Sequence, residues 1–425
     1  MFKFGFDLPA EGDGGVGNDA GQQQEQQAPQ DVSGEAHSAS AGSSKPQLSV
    51  LDMSDAITSV FESDTLFEYV PLLDGGSSDG TAAAADASSP STTATPKVQP
   101  LRRVVFPPDQ KVPPSLLGDA ALNRESLADT DLIPGVYEGG LKVWECSLDL
   151  CRHLAEEMVR LEQAAGASNS GDIDEGDNND DHLSKNNDVY HALSKTGKTM
   201  ELGCGHGLPA CLVLRELRKR NDEANSGSRN DTDEDGYSVL FSDYNEFVLR
   251  DATVPNIILN MDGDRPCPND ANEWGKVKGC VGCVAGDWMD LSKRLRSQDG
   301  SIAAVDEEAL NNNAAAATAL PFPNDGRFDL ILAAETTYTE ESSKDTAELL
   351  ARHLKVDTGV GLVATKRYYF GVGGGADAFR QAAESMVLKV DSSGEEMECT
   401  LKVETVKSYD SGVGRDLLRV RLVAH

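Results

Sequence analysis

From about Asp129 onward the chain alternates short apolar runs with amphipathic stretches, the rhythm of βαβ units laid into a mostly parallel sheet. The pattern predicts a first strand over Thr199–Leu202, just before a glycine-rich turn. The helix after it, Pro209–Arg220, turns Ala210, Leu212, Val213, Leu214 and Leu217 toward the sheet and carries Arg and Lys near its C-terminal end, where the dipole favours cations. A second strand, Tyr237–Phe241, ends at Ser242-Asp243, and a helix over roughly Asn245–Asn260 follows, which Pro255 kinks or divides. Third, fourth and fifth strands fall near Gly279–Ala285, at Phe328–Ala333 ending at Glu335, and at Gly359–Thr365. Two alternating runs, Thr400–Lys407 and Leu417–Val423, pair as antiparallel strands across the turn Ser408–Arg415. Five parallel strands and a closing hairpin make a doubly wound α/β fold with a mostly parallel seven-stranded sheet. A nucleotide-binding dehydrogenase would more often continue with a sixth parallel strand and a separate substrate domain.

Composition limits how much of the 425 residues belongs to that core. Residues 7–100 are crowded with Gln, Ser, Ala, Gly and Asp and hold few large apolar side chains, too little burial to offset chain entropy, so 1–128 is expected to be mostly disordered. Within it Ala56–Leu73, with Ile57, Val60, Phe61, Leu66, Phe67 and Leu72, reads as an unstructured apolar island rather than a transient helix or a docking segment. Acidic, Asn-rich runs near 164–188, 221–236 and 298–313 read as surface insertions, which leaves one domain over 129–425.

With 71 acidic against 38 basic side chains the formal charge is −33, which argues against direct binding to nucleic acid or an anionic membrane and permits a basic protein partner. Solubility is an equally good reason for that charge. No apolar run approaches the ~18 residues a membrane span needs. The eight cysteines are scattered, with neither a signal peptide nor a dense framework, as expected in a reducing compartment. Cys280 and Cys283 form a lone C-x-x-C without further ligands at zinc-like spacing; free thiols, and no metal, are expected.

The chemistry clusters at predicted strand ends. Glu201-Leu202-Gly203-Cys204-Gly205-His206-Gly207 lies between strand and helix, where glycines let the backbone turn tightly and approach a ligand. A dinucleotide fingerprint would want Gly or Ala where Leu208 stands, whereas an acid two places before the first glycine is typical of S-adenosylmethionine sites; a purely structural turn is the plain alternative. Asp243 ends the second strand, where a carboxylate can accept bonds from both ribose hydroxyls. It stands about 40 residues past Gly203 rather than ~20 because the acidic run 221–236 intervenes. Asp287 and Trp288, after Gly286, could meet the amine and face of adenine, or be a capping Asp and a half-buried Trp. Glu335, three residues before Tyr338, follows the fourth strand at the edge where ligands of open α/β sheets gather, so its carboxylate could hold an acceptor nitrogen by its N–H; an acid at a helix N-terminus is the bland reading. The run 366–375 holds Tyr368, Tyr369 and Phe370 and then four glycines, a flexible loop or, more sharply, a lid with a glycine hinge.

The long string from Asp131 to Asp149, containing GVYEGGLKVWECSLD, closely resembles the entry segment of the eukaryotic histidine protein methyltransferases. ELGCGHGL, SDYN, GDW, DLILAAETTY and YFGVGGG resemble that family's successive blocks in order, and the match covers most of 129–379; the aromatic start Phe2, Phe4, Phe6 is similar in character. The resemblance implies a class I methyltransferase that moves a methyl group from S-adenosylmethionine to a histidine nitrogen of a basic large-subunit ribosomal protein. A monomer distributed between cytoplasm and nucleus is expected, the location from the absence of export signals and from the supposed substrate. Carried across, the cofactor site would use Trp144, Glu145, Cys146, Ser147, Glu201, Gly203, Cys204, Gly205, Asp243, Tyr244, Asn245, Gly286, Asp287 and Trp288, with Glu335 and Tyr338 as candidate catalytic residues. Family members often have Asp where Glu201 stands and a smaller residue where His206 stands, which leaves contacts near methionine open. The E-x-x-Y of 335–338 also resembles protein-lysine methyltransferases of the same broad group, and a ribosome-assembly chaperone that keeps the domain as a platform is the non-enzymatic alternative.

Overall fold

The computed structural model describes residues 48–51, 53, 67–73, 98–105, 137–168, 185–194, 196–225, 236–261, 279–296, 325–392 and 395–425. The aromatic start at Phe2–Phe6, residues 131–136 of the entry segment and the interiors of the acidic runs lie outside them.

The parallel strands are β4 (Lys198–Leu202), β5 (Ser238–Asp243), β6 (Val281–Ala285), β7 (Leu330–Ala334) and β8 (Val360–Lys366). The hairpin is β10 (Glu395–Tyr409) and β11 (Arg415–Ala424), with β11 antiparallel to β8. The order β6-β5-β4-β7-β8-β11-β10 puts the first strand of the seven inside the sheet, third from one edge of these seven, with the chain winding outward first to one side and then to the other. This is the doubly wound plan, and its switch point falls at the carboxyl end of β4. β5, β6 and β8 are buried along their whole length, as continuous apolar strands covered on both faces must be.

Two apolar layers cover the sheet. On one face lie α1 (Glu145–Ser168), α2 (Leu208–Asn225) and the segment after β5; on the other α5 (Trp288–Arg296), α6 (Glu340–His353) and α7 (Ala376–Glu384). The helix expected over 245–260 divides into α3 (Glu246–Val248), a π-helical turn Leu249–Thr253 and α4 (Val254–Met261). The widened turn ends just before Pro255, whose missing N–H cannot continue an α-helical ladder.

Three sequence expectations need correcting. First, among the described residues the sheet has nine strands: β9 (Val387–Ser392) pairs outside β10, and β1 (Ser49–Val50) pairs antiparallel with β6 at the opposite edge. Second, parts of the region read as disordered are packed. β2 (Phe67–Val70) and β3 (Leu101–Val104) form a separate two-stranded sheet, and Leu101 and Leu72 are buried. The backbone of β3 docks on α4: Asn260 Oδ1 accepts the Arg102 N–H at 2.8 Å, Asn260 Nδ2 donates to the Arg102 carbonyl at 2.7 Å, and Asn256 Oδ1 accepts the Val104 N–H at 2.6 Å. Residues 67–73 are therefore no unstructured island; 56–66 lie outside the described residues. Third, the first insertion is shorter than read, because α1 runs on to Ser168 and Asn187 and Asp188 are buried. For β1, β2 and β3 the stabilising partner is remote in sequence, so local composition carries no trace of it, whereas β9 pairs with the strand that follows it.

Candidate active site

Four strand ends converge on a cavity of about 410 Å³ at the switch point. After β4 the chain turns through Gly203 and Gly205 in left-handed conformations, φ 56° and 52°. A Cβ at Gly205 would stand 2.9 Å from the Gly140 carbonyl, and one at Gly203 would stand 3.1 Å from Thr336 and 3.3 Å from the Trp288 ring. Glycine is therefore required twice over, by φ and by the close approach of neighbouring walls. Asp243 fastens this turn: Oδ2 accepts the Gly205 N–H at 2.9 Å and Oδ1 the Asn245 N–H at 3.0 Å. Burial pushes the Asp243 carboxyl up to about 6, against the pull of the Asn245 and Gly205 N–H groups.

Glu201 lines the cavity and reaches the start of α2, where Oε2 accepts the Ala210 N–H at 2.8 Å. Burial, opposed by that N–H and helped by Asp243, raises it from 4.5 to about 8. The folded protein therefore holds a proton that the unfolded chain releases. The stability this contributes is complete below pH 4.5 and is lost as pH rises toward 8. Thermal unfolding of the ligand-free protein should show Tm falling between pH 5 and pH 8 more steeply in wild type than in Glu201→Gln; identical slopes would acquit Glu201.

Asp287 is a cap, with Oδ1 accepting the Met289 N–H at 2.9 Å at the start of α5, and it lines the cavity as well. The Trp288 indole Nε1 beside it is buried without a hydrogen-bond partner. Trp144, Ser147, Cys204 and Tyr244 also reach the wall. Four residues expected in the cofactor site do not: Glu145 is exposed at the start of α1, Cys146 is buried in the core, Asn245 uses Oδ1 to accept the Glu138 N–H at 3.1 Å, and Gly286 carries the turn after β6 at φ 131°. His206 takes up a defined role: Nε2 donates to the Leu141 carbonyl at 3.0 Å while Nδ1 faces Asn256 Nδ2 at 3.2 Å, which suits the neutral ring and ties the entry segment to α4.

Glu335 directly follows β7 with φ 59°, a left-handed conformation that costs a non-glycine residue ~1–2 kcal/mol. Its N–H donates to the Ala364 carbonyl at 2.9 Å. Its carboxylate is nearly sequestered, at 7% exposure: Oε2 accepts the Tyr369 hydroxyl and lies 3.5 Å from Lys366 Nζ, while Oε1 is buried without a partner. Tyr338 donates its hydroxyl to Glu138, a wall residue that sequence reasoning missed. Only the entry string hinted at Glu138, since nothing in its spacing links it to a residue 200 positions away. Burial first, and then Glu138, push the Tyr338 phenol well above its usual value, so it stays a donor.

The loop after β8 departs from the lid expectation. Tyr369 is buried beneath Glu335, whereas Tyr368 and Phe370 are exposed and meet edge to face at 4.9 Å. Gly374 and Gly375 are wedged in place, since a Cβ would come within 2.2 Å of the Thr337 carbonyl and 2.3 Å of the Arg367 carbonyl. These glycines permit close packing rather than hinge motion, and Val372 is the loop residue on the cavity wall.

No protein-family model matches the chain. A histidine protein methyltransferase 1 homolog from Dictyostelium discoideum is 30% identical over 258 residues, 60% of this chain and 53% of that protein. The homolog from Rattus norvegicus is 25% identical over 316 residues, 71% of this chain and 62% of that protein. The chain thus spans between about half and two thirds of the length of these curated relatives. Among solved structures, an O-methyltransferase family protein from Burkholderia thailandensis covers 65% of this chain and 61% of its own at 11% identity with a TM-score of 0.29, so the strand order, and not the superposition, identifies the fold.

Proposed function

We propose that this chain, which is similar over 60–71% of its length to histidine protein methyltransferase 1 homologs, is an S-adenosylmethionine-dependent protein methyltransferase whose acceptor is a histidine side-chain nitrogen. The observation that carries the choice of acceptor is Glu335: a buried carboxylate on a strained backbone at the cavity, with one oxygen left without a partner. The residues present fit the cofactor. The Gly203–Gly205 turn leaves the close approach a ligand backbone needs, Asp243 stands where ribose hydroxyls would find an acceptor, and the unpartnered Trp288 Nε1 offers a buried donor.

When bound, S-adenosylmethionine supplies a methyl group on an electrophilic sulfonium. The protein's task is positioning, since a neutral imidazole already carries a lone pair on one nitrogen and needs no strong base. Glu335 Oε1 accepts the N–H of the other nitrogen, which selects the tautomer with the reactive nitrogen free. As the ring gains a methyl group and becomes cationic, the hydrogen bond to the carboxylate strengthens, so the interaction favours the transition state over the ground state. Tyr338 and Glu138 hold the wall on the entry-segment side. We also propose that the target is a basic large-subunit ribosomal protein, met by a monomer in cytoplasm and nucleus; a formal charge of −33 suits a basic partner.

Purified protein incubated with S-adenosylmethionine and a ribosomal-protein mixture, followed by peptide mass spectrometry that resolves histidine from lysine fragments, tests both statements. Methyl on one histidine of a large-subunit protein is the expected result. Methyl on lysine would replace the acceptor, and cofactor binding without any transfer would overturn the choice of substrate.

A further inference from the structure

The two oxygens of Glu335 are treated differently by the fold. Oε2 receives the Tyr369 hydroxyl and faces Lys366 Nζ at 3.5 Å, while Oε1 has no hydrogen-bond partner among the described residues. We propose that Tyr369 and Lys366 are positioning residues that commit Oε2, so that Glu335 presents a single acceptor oxygen to the substrate. This rests on the reading of the site as a histidine methyltransferase and refines it, because one acceptor oxygen matches a group that offers one N–H. A neutral imidazole is such a group; an ammonium or guanidinium carries several N–H groups and is served best by both oxygens.

The clamp is built into the frame that carries Glu335. Tyr369 donates its N–H to the Gly374 carbonyl at 3.2 Å, and Gly375 donates to the Thr337 carbonyl at 2.8 Å, so the phenol is registered to the segment just after Glu335. Lys366 ends β8, the strand paired with β7, and its Nζ lies 4.8 Å from the Trp144 ring centroid and 5.3 Å from that of Tyr369. Two rings thus hold the cation at its post, one of them on the cavity wall. Cys146 on α1 also faces this carboxylate, and burial, reinforced by Glu335, pushes its thiol up, so it remains neutral. The Tyr369 phenol is pushed up by burial and by Glu335, and remains a donor.

The test is a double-mutant cycle on the full chain, with methyl transfer to histidine as the assay and cofactor affinity measured in parallel. Tyr369→Phe should lower kcat by about ten- to a hundredfold, the worth of a hydrogen bond to a charged group, with cofactor affinity unchanged. In a Glu335→Gln background the same substitution should cost almost nothing further, because its effect passes through Glu335. Lys366→Met provides a second arm with the same expected pattern, should Tyr369→Phe fold poorly. Losses that multiply in the double variants, or that follow cofactor affinity, would overturn the clamp. Wild-type protein that methylates no histidine would instead overturn the functional reading beneath it.

Discussion

Turnover falls by about 10²- to 10³-fold when Glu335 is replaced by alanine, while cofactor affinity stays close to that of the unaltered protein. The expected size follows from what the carboxylate does. In a site shielded from water its interaction with the developing imidazolium is far stronger than in bulk solvent, and it also selects the tautomer that leaves the reactive nitrogen free. Alanine removes both effects and leaves Lys366 and Tyr369 facing a gap, so Glu335→Gln, which keeps the shape and loses the charge, is the companion variant. Single-turnover rates, with cofactor binding measured separately by titration calorimetry, separate chemistry from affinity. A Glu335→Ala protein that binds cofactor and turns over at the wild-type rate would remove this residue from the mechanism.

Asp188→Ala should cost about 3–5 kcal/mol of stability at neutral pH, the penalty for leaving buried charge without its partner. Asp188 is 2% exposed and joins two distant parts of the fold. His153 Nε2 on α1 lies 2.8 Å from Oδ2, and Arg419 on β11 donates to both oxygens, through Nη2 at 3.1 Å to Oδ2. Its N–H donates to Glu157 Oε2 at 3.1 Å. Burial works to raise the Asp188 carboxyl, but the hydrogen bonds from His153 and Arg419 win and hold it below its ordinary 3.8. A depressed folded-state value means that this stability is present above about pH 4 and disappears as pH falls through the folded-state value. The gap between wild type and Asp188→Ala in urea-unfolding free energy should therefore be widest near pH 7 and narrow in acid; a difference under ~1 kcal/mol at pH 7 would show the network to be dispensable. Ligand atoms of His153, Glu157 and Asp188 lie within 4.8 Å of one another, and Arg419 pairs with the Asp188 carboxylate of that group.

The resemblance in the entry segment aside, the legible parts of this protein are those written in neighbouring residues. The apolar rhythm marked all five parallel strands and the closing hairpin to within a few positions, because strands buried on both faces must be continuously apolar and a hairpin must alternate. Gly203, Gly205 and Asp243 were legible for the same reason: a turn between strand and helix, and an acid at a strand end, are local statements. The left-handed backbone of Glu335 was not, since no glycine or asparagine signals it and the Ala364 carbonyl that receives its N–H comes from the next strand. Nor were the pairing of Tyr338 with Glu138, the burial of Tyr369 under Glu335, or the docking of Leu101–Val104 on Asn256 and Asn260. The sequence by itself determined the five parallel strands and the closing hairpin, in what order the doubly wound plan would lay them, and where the glycine turn and strand-end acids fall. Tertiary structure alone decided which side chains meet across that framework, because burial and hydrogen-bond partners are assigned by packing between segments tens to hundreds of residues apart, and periodicity within a segment carries no information about its distant neighbour.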